Sequence, residues 1–340
     1  MSITPQKLWV NKYRPKNISE IMYQDNIIKI FKNTLKTGNL PHLLLYGPPG
    51  TGKTSFGLVV AYQLFGPNII NDRVIELNAS DERGISVVRN KIYNFARLSL
   101  SRTDPKYPCP PYKIIILDEA DAMTNEAQAA LRKIMEELSS RTRFIFICNY
   151  INQIIDPISS RCMKYRFKPI EKTQLESKLT EIVNKEGLQN VTQEAIETIT
   201  KLSNGDARRA IMTLQNLRYL YKKGPGLNIG ENDIYELTSS MKPNQLMEFW
   251  KMDIQQVTDY ASKIYTESYP LISILEQLQS AIIKNKSIDD IMKSKICIQI
   301  GNTERRLCEG ADERTQLVNV FCYIHGIINS EISFLSRNYC

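Results

Sequence analysis

The stretch HLLLYGPPGTGKT, from His42 to Thr54, decides the fold of this chain. The apolar run Leu43–Leu45 predicts a buried β-strand, and the turn after it has the pattern G-x-x-x-x-G-K-T. In this pattern the glycines let successive backbone N–H groups face a polyphosphate, and a helix begins beside the phosphates. We expect this helix to cover about Lys53–Phe65. The residues predicted to contact the nucleotide here are Tyr46, Gly47, Pro48, Pro49, Gly50, Thr51, Gly52, Lys53 and Thr54.

Two side chains of this phosphate-binding loop (residues 47–54) have specific predicted roles. Lys53 is long enough to reach the β- and γ-phosphates, and the Thr54 hydroxyl is placed to ligate Mg²⁺. The predicted cofactors are therefore ATP and Mg²⁺. A glycine-rich turn that matches the pattern by chance is the alternative, but the apolar run before it and the helical pattern after it favour a nucleotide site. The fold class predicted from this unit is α/β with a parallel sheet.

A second apolar run, KIIILDEAD over residues 113–121, ends in acids. Buried parallel strands commonly open onto an active site at their carboxyl ends. Asp118 is predicted to hold the Mg²⁺ shell, and Glu119 to orient and deprotonate the attacking water. An Asp-Glu pair after a strand is common, but in a chain that also carries this loop it favours ATP hydrolysis.

Two further polar residues are predicted to meet the phosphates. Asn149 ends the apolar run 143–148 and is expected beside the γ-phosphate, where it helps to fix the water; a simple strand-end turn is the alternative. Arg208 lies in the first turn of a predicted helix, Ala207–Tyr221, which Asp206 can cap. A cation at that position opposes the helix dipole, so a functional reason is favoured.

The segment LWVNKYRP, Leu8–Pro15, is both aromatic and basic. It can pack over an adenine ring, with Val10 apolar and Arg14 beside it. A clasp that buries Trp9 for stability is an equally open interpretation. Farther along, Arg83 and Arg89 lie near the start of a predicted helix, where phosphate binding and a solvated basic face are both open.

Composition excludes several classes of protein. The 340 residues are 42% hydrophobic and 24% charged, no apolar run is long enough to cross a bilayer, and residues 1–17 lack a signal-peptide core. We therefore expect an intracellular protein without a membrane partner. The seven cysteines are scattered and only two histidines are present, which favours buried free thiols over a zinc site.

Charge and pattern divide the chain. Residues 1–240 hold 33 Lys/Arg against 24 Asp/Glu, a net charge of +9, whereas residues 241–340 hold 11 against 12, a net charge of −1. A polyanionic partner is thus plausible for the first part. We predict a nucleotide-binding domain over residues 1–168, a helical lid over 169–238, and a collar of amphipathic helices over 239–340.

Taken together, these residues resemble the small subunits of replication factor C, the sliding-clamp loader among the AAA+ ATPases. The resemblance covers essentially the whole chain. Within the family, the stretches 113–170 and 307–313 look most like the animal subunit numbered four. The markers are Trp9–Pro15, Gly47–Thr54, Leu77–Ile85, Asp118–Asp121, Asn149, Ser160–Cys162 and Gly205–Arg208.

The resemblance implies a RecA-like ATPase domain, a helical lid and a collar through which five different subunits form a spiral. It implies ATP-dependent opening of a sliding clamp and its loading onto primer–template DNA, in the nucleus or at a viral replication site. Arg161 would act on the ATP of a neighbouring subunit, so ATPase activity is expected mainly in the assembled complex. Arg83 and Arg89 would follow the DNA backbone. Asn11 and Lys133 depart from the family pattern without removing a catalytic group.

Two alternatives stay open at this point. One is a scaffold subunit that binds ATP without essential turnover. The other is a different AAA+ DNA machine, a branch-migration helicase or an initiator, which usually adds a basic winged-helix domain at the carboxyl end. The net charge of −1 over residues 241–340 disfavours the second alternative.

Overall fold

The computed structural model describes residues 8–21, 31, 38–79, 85–98, 103–188, 190–221 and 228–338. The chain forms two compact units, residues 1–228 and 229–340. The second unit begins at Ile229, whereas the predicted collar begins at Ser239. The division of the first unit into a nucleotide-binding domain and a lid stays a prediction.

The first unit is built on a five-stranded sheet with the strand order β2-β3-β4-β1-β5. All neighbouring strands are parallel, which confirms the predicted fold class. The last strand of this sheet begins at Met163, which pairs with Leu43 of the neighbouring strand. The strands are β1 (Leu43–Tyr46), β2 (Val74–Asn78), β3 (Lys113–Asp118), β4 (Thr142–Cys148) and β5 (Met163–Arg166).

Alternate residues of the central strands enter two different hydrophobic clusters, one on each face of the sheet. This period of two is the pattern of a strand that is buried on both sides. One cluster contains Leu43, Leu45, Ile114, Ile116, Ile145 and Ile147. The other contains Leu44, Ile115, Leu117, Phe144 and Phe146.

The helices of the first unit cover both faces of the sheet and continue beyond it. Several begin at a side-chain cap: Thr124 accepts from the Ala127 N–H, and Asp206 accepts from the Arg209 N–H at 3.0 Å, as predicted. The helices are α1 (Trp9–Lys12), α2 (Lys53–Phe65), α3 (Ile70–Arg73), α4 (Ile85–Arg97), α5 (Asn125–Glu137), α6 (Asp156–Ser159), α7 (Lys172–Glu186), α8 (Gln193–Leu202) and α9 (Ala207–Tyr221). Short 3₁₀ helices lie at Ile18–Glu20, Ala120–Ala122 and Ile151–Gln153.

The second unit is helical throughout its described part, apart from short connections. Its own core joins apolar side chains of every long helix, and Phe249 stacks on Phe321 with ring centroids 4.3 Å apart. The helices are α10 (Glu231–Leu237), α11 (Pro243–Leu246), α12 (Ile254–Thr266), α13 (Leu271–Lys284), α14 (Asp290–Cys308) and α15 (Glu313–Asn338), with a 3₁₀ helix at Glu248–Lys251. Among the residues described, none of the helices has the length and hydropathy to span a bilayer.

Candidate nucleotide-binding site

A cleft of about 410 Å³ opens at the carboxyl edge of the parallel sheet, within the first unit. Parallel α/β sheets bind their ligands at this edge. Tyr46, Gly47 and Pro48 are not part of the lining, because they form the strand end and the start of the loop beneath it. The predicted residues that do line the cleft are Val10, Arg14, Pro49, Gly50, Thr51, Gly52, Lys53, Thr54, Asp118, Glu119, Asn149 and Arg208.

Two glycines of the phosphate-binding loop are required by both conformation and space. Gly47 has φ +142°, and a Cβ there would lie 2.3 Å from the Phe167 carbonyl oxygen. Gly50 has φ +67°, and a Cβ there would lie 1.6 Å from Asp206 Oδ1. Both φ values strain side-chain-bearing residues. The loop therefore lies directly against the end of β5 and against the cap of α9.

Lys53 is held inside the loop at 7% exposure. Its ammonium donates to the carbonyl oxygens of Gly47 and Pro48, both at 2.7 Å, and to Asn149 Oδ1 at 3.0 Å. Burial lowers the pKa of Lys53, and the negative charge of Asp118 opposes this effect. The side chain is thus positioned at the cleft, bonded to neutral acceptors that phosphate oxygens can replace.

Thr54 and Asp118 meet at the carboxyl edge of the sheet. The Thr54 hydroxyl donates to Asp118 Oδ2 at 2.8 Å, although the two residues belong to α2 and β3. A hydroxyl and a carboxylate are oxygen ligands of the kind that Mg²⁺ uses together with substrate phosphates and water. The described residues contain no group of three or more His, Cys, Asp or Glu side chains that would hold a metal by themselves. The pair therefore fits a phosphate-bound Mg²⁺.

Glu119 has a strained backbone at the mouth of the cleft. Its φ of 54° and ψ of 40° are left-handed, which costs a non-glycine residue about 1–2 kcal/mol. The Glu119 N–H donates to Asp118 Oδ1 at 2.9 Å. Within the described residues, no hydrogen bond or ion pair is found for the Glu119 carboxylate. It is exposed and available to accept a proton.

Asp121 positions Asn149, and the sequence interpretation did not assign it a role. Asp121 Oδ2 accepts from the backbone N–H of Asn149 at 2.8 Å and of Tyr150 at 3.1 Å. The Asn149 side chain can therefore face Lys53 while its backbone is held. The position of Asp121, three residues after Asp118, was the available signal.

Helix α9 contributes apolar residues that were also missed. Ile211 and Met212 line the cleft together with Arg208. These residues are three and four positions after Arg208, so they lie on the same helix face. Helical spacing could therefore have identified them. They give the cleft an apolar wall.

The amino-terminal segment has one buried aromatic residue and two predicted residues that line the cleft, while its packing over an adenine ring stays a prediction. Trp9 is 2% exposed, as a clasp requires, while Val10 and Arg14 line the cleft. Arg14 Nε donates to Ser55 Oγ at 3.1 Å, one residue beyond the phosphate-binding loop. Ser55 and Leu8, which also line the cleft, were not predicted.

The remaining predicted residues lie elsewhere. Arg161 is outside the cleft: its Nη2 is 2.7 Å from the Glu136 carboxylate, and its Nη1 donates to the Pro157 carbonyl oxygen at 2.7 Å. Arg83 lies outside the described residues. Arg89 belongs to α4, and its side chain is outside the described part of the structure.

The described cysteines are free, but they are not uniformly buried. Cys148 lies at the end of β4, where burial raises the pKa of its thiol to about 12. Cys162 is buried as well, whereas Cys308 is exposed, which corrects the expectation of buried thiols. Cys308 lies in the last turn of α14, which packs by its opposite face.

The fold and this cleft define an ATPase of the AAA class. The model of the "ATPase family associated with various cellular activities" matches residues 43–170, and the model of the "Replication factor C C-terminal domain" matches residues 232–323. The chain is 45% identical to replication factor C subunit 4 of Arabidopsis thaliana, over 92% of this chain and 93% of that protein. It is 41% identical to replication factor C subunit 4 of Homo sapiens, over 92% and 86%. The chain belongs to the replication factor C family.

A solved structure with a similar fold is the Thermotoga maritima RuvB Holliday junction branch migration motor. Its TM-score is 0.51 at 17% identity, over 78% of this chain and 85% of that chain. At this identity the likeness shows the fold alone.

Proposed function

We propose that this chain is an ATP-hydrolysing small subunit of a clamp loader, which opens a ring-shaped sliding clamp and places it on primer–template DNA. Membership of the replication factor C family supports this function. The observation that carries it is the convergence of Lys53, Asn149, Arg208 and the Thr54–Asp118 pair on one cleft.

The phosphate-binding roles follow from the donors at this cleft. Lys53 exchanges its carbonyl partners for β- and γ-phosphate oxygens, and the N-terminal N–H groups of α2 face the same anion. Arg208 approaches from α9. Thr54 and Asp118 would hold Mg²⁺, which neutralises charge on the phosphates. The apolar wall of Val10, Ile211 and Met212 suits the nucleoside.

Glu119 is the proposed general base. Glu119 follows Asp118 directly, is exposed and lines the cleft. It orients a water and accepts its proton, while Asn149 provides an amide in the same cleft. Because Glu119 accepts the proton, Asp118 can bind the metal ion.

Arg161 is proposed to act on the nucleotide of a neighbouring subunit. It cannot serve its own cleft from its observed position, where it pairs with Glu136 at the surface.

The second unit is proposed to bind the other subunits of a hetero-pentamer. In support, Ile291 and Ile298, seven residues apart on one face of α14, are 65% and 64% exposed. Arg83 and Arg89 are proposed to contact the DNA backbone, in the nucleus.

The test is ATP turnover by the purified chain, first alone and then with partner subunits, clamp and primed DNA. We expect slow turnover alone, a strong rise in the full mixture, and a loss of about 10³-fold or more at the neighbouring site with Arg161→Ala. Fast turnover alone that does not respond to the clamp would contradict a clamp loader and favour another AAA+ machine.

A scaffold subunit without essential turnover is tested by Glu119→Gln. We expect ATP binding to persist while turnover at this site falls by about 10²-fold or more, because the proton acceptor is lost. Glu126→Gln, an exposed position on α5, is the control that leaves turnover unchanged. Unchanged clamp loading with Glu119→Gln would support the scaffold instead.

A further inference from the structure

The amino-terminal segment 9–14 is tied to three helices of the first unit. The Trp9 N–H donates to Gln215 Oε1 of α9 at 2.9 Å. Lys12 and Tyr13 both bind the carboxylate of Glu186, the last residue of α7. Arg14 Nε donates to Ser55 Oγ of α2. Six residues therefore connect α7 and α9 with α2, the helix that begins at the phosphate-binding loop.

Glu186 is the centre of these contacts. Its side chain is only 8% exposed, its Oε1 accepts from the Tyr13 hydroxyl at 2.6 Å, and its Oε2 is 3.9 Å from Arg218 Nη1. Burial acts to raise its pKa, but hydrogen bonds from Lys12 and Tyr13 and the charge of Arg218 hold the pKa of Glu186 below its usual value. The carboxylate is therefore ionised and surrounded by donors.

The position of Glu186 within its own helix is unfavourable. A negative charge in the last turn opposes the helix dipole, where a cation is stabilising. Its partners come from α1, from Tyr13 and from α9, not from α7. Local helix stability therefore does not explain this side chain, whereas its tertiary contacts do.

The other side of the same segment faces the nucleotide cleft. Val10, Tyr13 and Arg14 line the cleft together with Ile211 and Met212, while Glu186 does not line it. Tyr13 connects Glu186 to the cleft, because its hydroxyl donates to Glu186 and the residue also lines the cleft. Movement of Glu186 would displace the wall without touching the phosphate-binding loop.

We propose that Glu186 is a positioning residue: it holds segment 9–14 as the wall against which the nucleoside of ATP packs, and so couples nucleoside binding to α7 and α9. This inference rests on the proposed binding of ATP. In this proposal Glu186 affects the binding of the nucleoside and not that of the phosphates, because the phosphates are held by the loop and α2.

The test measures the affinity of the full-length chain for ATP and for tripolyphosphate by titration calorimetry. With Glu186→Gln, the affinity for ATP is expected to fall about tenfold, because a charge-assisted hydrogen bond is lost, while that for tripolyphosphate stays within about twofold. Glu176→Gln is the matched control, since Glu176 also lies on α7 but is not among the residues that line the cleft. Its affinities should equal those of the unmodified chain.

Tyr13→Phe is a milder second variant that removes one hydroxyl and no charge. It should weaken ATP in the same selective way, and its combination with Glu186→Gln should cost less than the sum of the two. Equal losses of ATP and tripolyphosphate, or no loss with Glu186→Gln, would overturn the inference. The inference would also be overturned if the unmodified chain bound ATP no more tightly than tripolyphosphate. Failure of the unmodified chain to bind either ligand would overturn the proposed function itself.

Discussion

The two edges of the parallel sheet use polar side chains in opposite ways. At the carboxyl edge, Lys53, Asp118 and Asn149 line a cleft. At the amino edge, Lys113 and His42 are bonded to backbone groups of the first unit. Lys113 Nζ donates to the Phe95 carbonyl oxygen at 2.6 Å, and His42 Nδ1 accepts from the Phe144 N–H at 3.1 Å.

The direction of the chain explains this difference. Helices that follow parallel strands begin at the carboxyl edge, so their unpaired N–H groups collect there and favour anions. The same helices end toward the amino edge, where unpaired carbonyl groups favour cations. Lys113 bonds to Phe95 in the last turns of α4, and Lys53 begins α2. We therefore propose that two buried lysines at opposite edges of this sheet serve different purposes, Lys53 ligand binding and Lys113 packing.

Lys53→Met tests the carboxyl edge and has the largest expected effect. The phosphates lose a charged donor, so turnover in the assembled complex should fall by about 10²–10³-fold. The stability of the first unit should fall by less than with Lys113→Met, because one of the carbonyl oxygens that lose this donor belongs to the exposed Pro48, where water can replace it. Turnover is measured by phosphate release and stability by hydrogen exchange of the strand amides. Unchanged turnover would contradict the assignment of Lys53.

The same substitution at the amino edge, Lys113→Met, provides the comparison. Lys113 is 1% exposed, and its loss leaves the Phe95 carbonyl oxygen without this donor. We expect the unfolding free energy of the first unit to fall by about 2–3 kcal/mol. ATP affinity, measured by calorimetry, should stay within about twofold. A selective loss of ATP affinity would break the proposed contrast between the edges.

His42→Asn sharpens the comparison with a smaller, pH-dependent effect. Burial, with a contribution from Arg143, lowers the pKa of His42 to about 4. Between pH 6.5 and 4 the unfolded chain binds a proton that the native chain does not. The native state therefore loses stability as the pH falls through this window, by about 2 kcal/mol. His42→Asn should remove this loss, as measured by hydrogen exchange at pH 7 and pH 4.5. If the stability of His42→Asn depended on pH as that of the unmodified chain does, the assignment of this proton to His42 would be wrong.

Local patterns were sufficient for much of the fold. The helices α2 and α9 cover Lys53–Phe65 and Ala207–Tyr221, as the sequence predicts, because capping and apolar spacing act within a few residues. The residues of the phosphate-binding loop and the Asp118–Glu119 pair could also be identified, since their chemistry depends on short fixed spacing. Their roles stay predictions until turnover is measured.

The sequence by itself determined most of the strand and helix segments and which residues are predicted to bind phosphate. Only the tertiary structure decided the contacts between distant segments. It placed Asp206 against Gly50 and bonded Lys12 to Glu186, which lies 174 residues away. It also paired Arg161 with Glu136. These contacts leave no periodic pattern in the chain, because each depends on how separate elements pack.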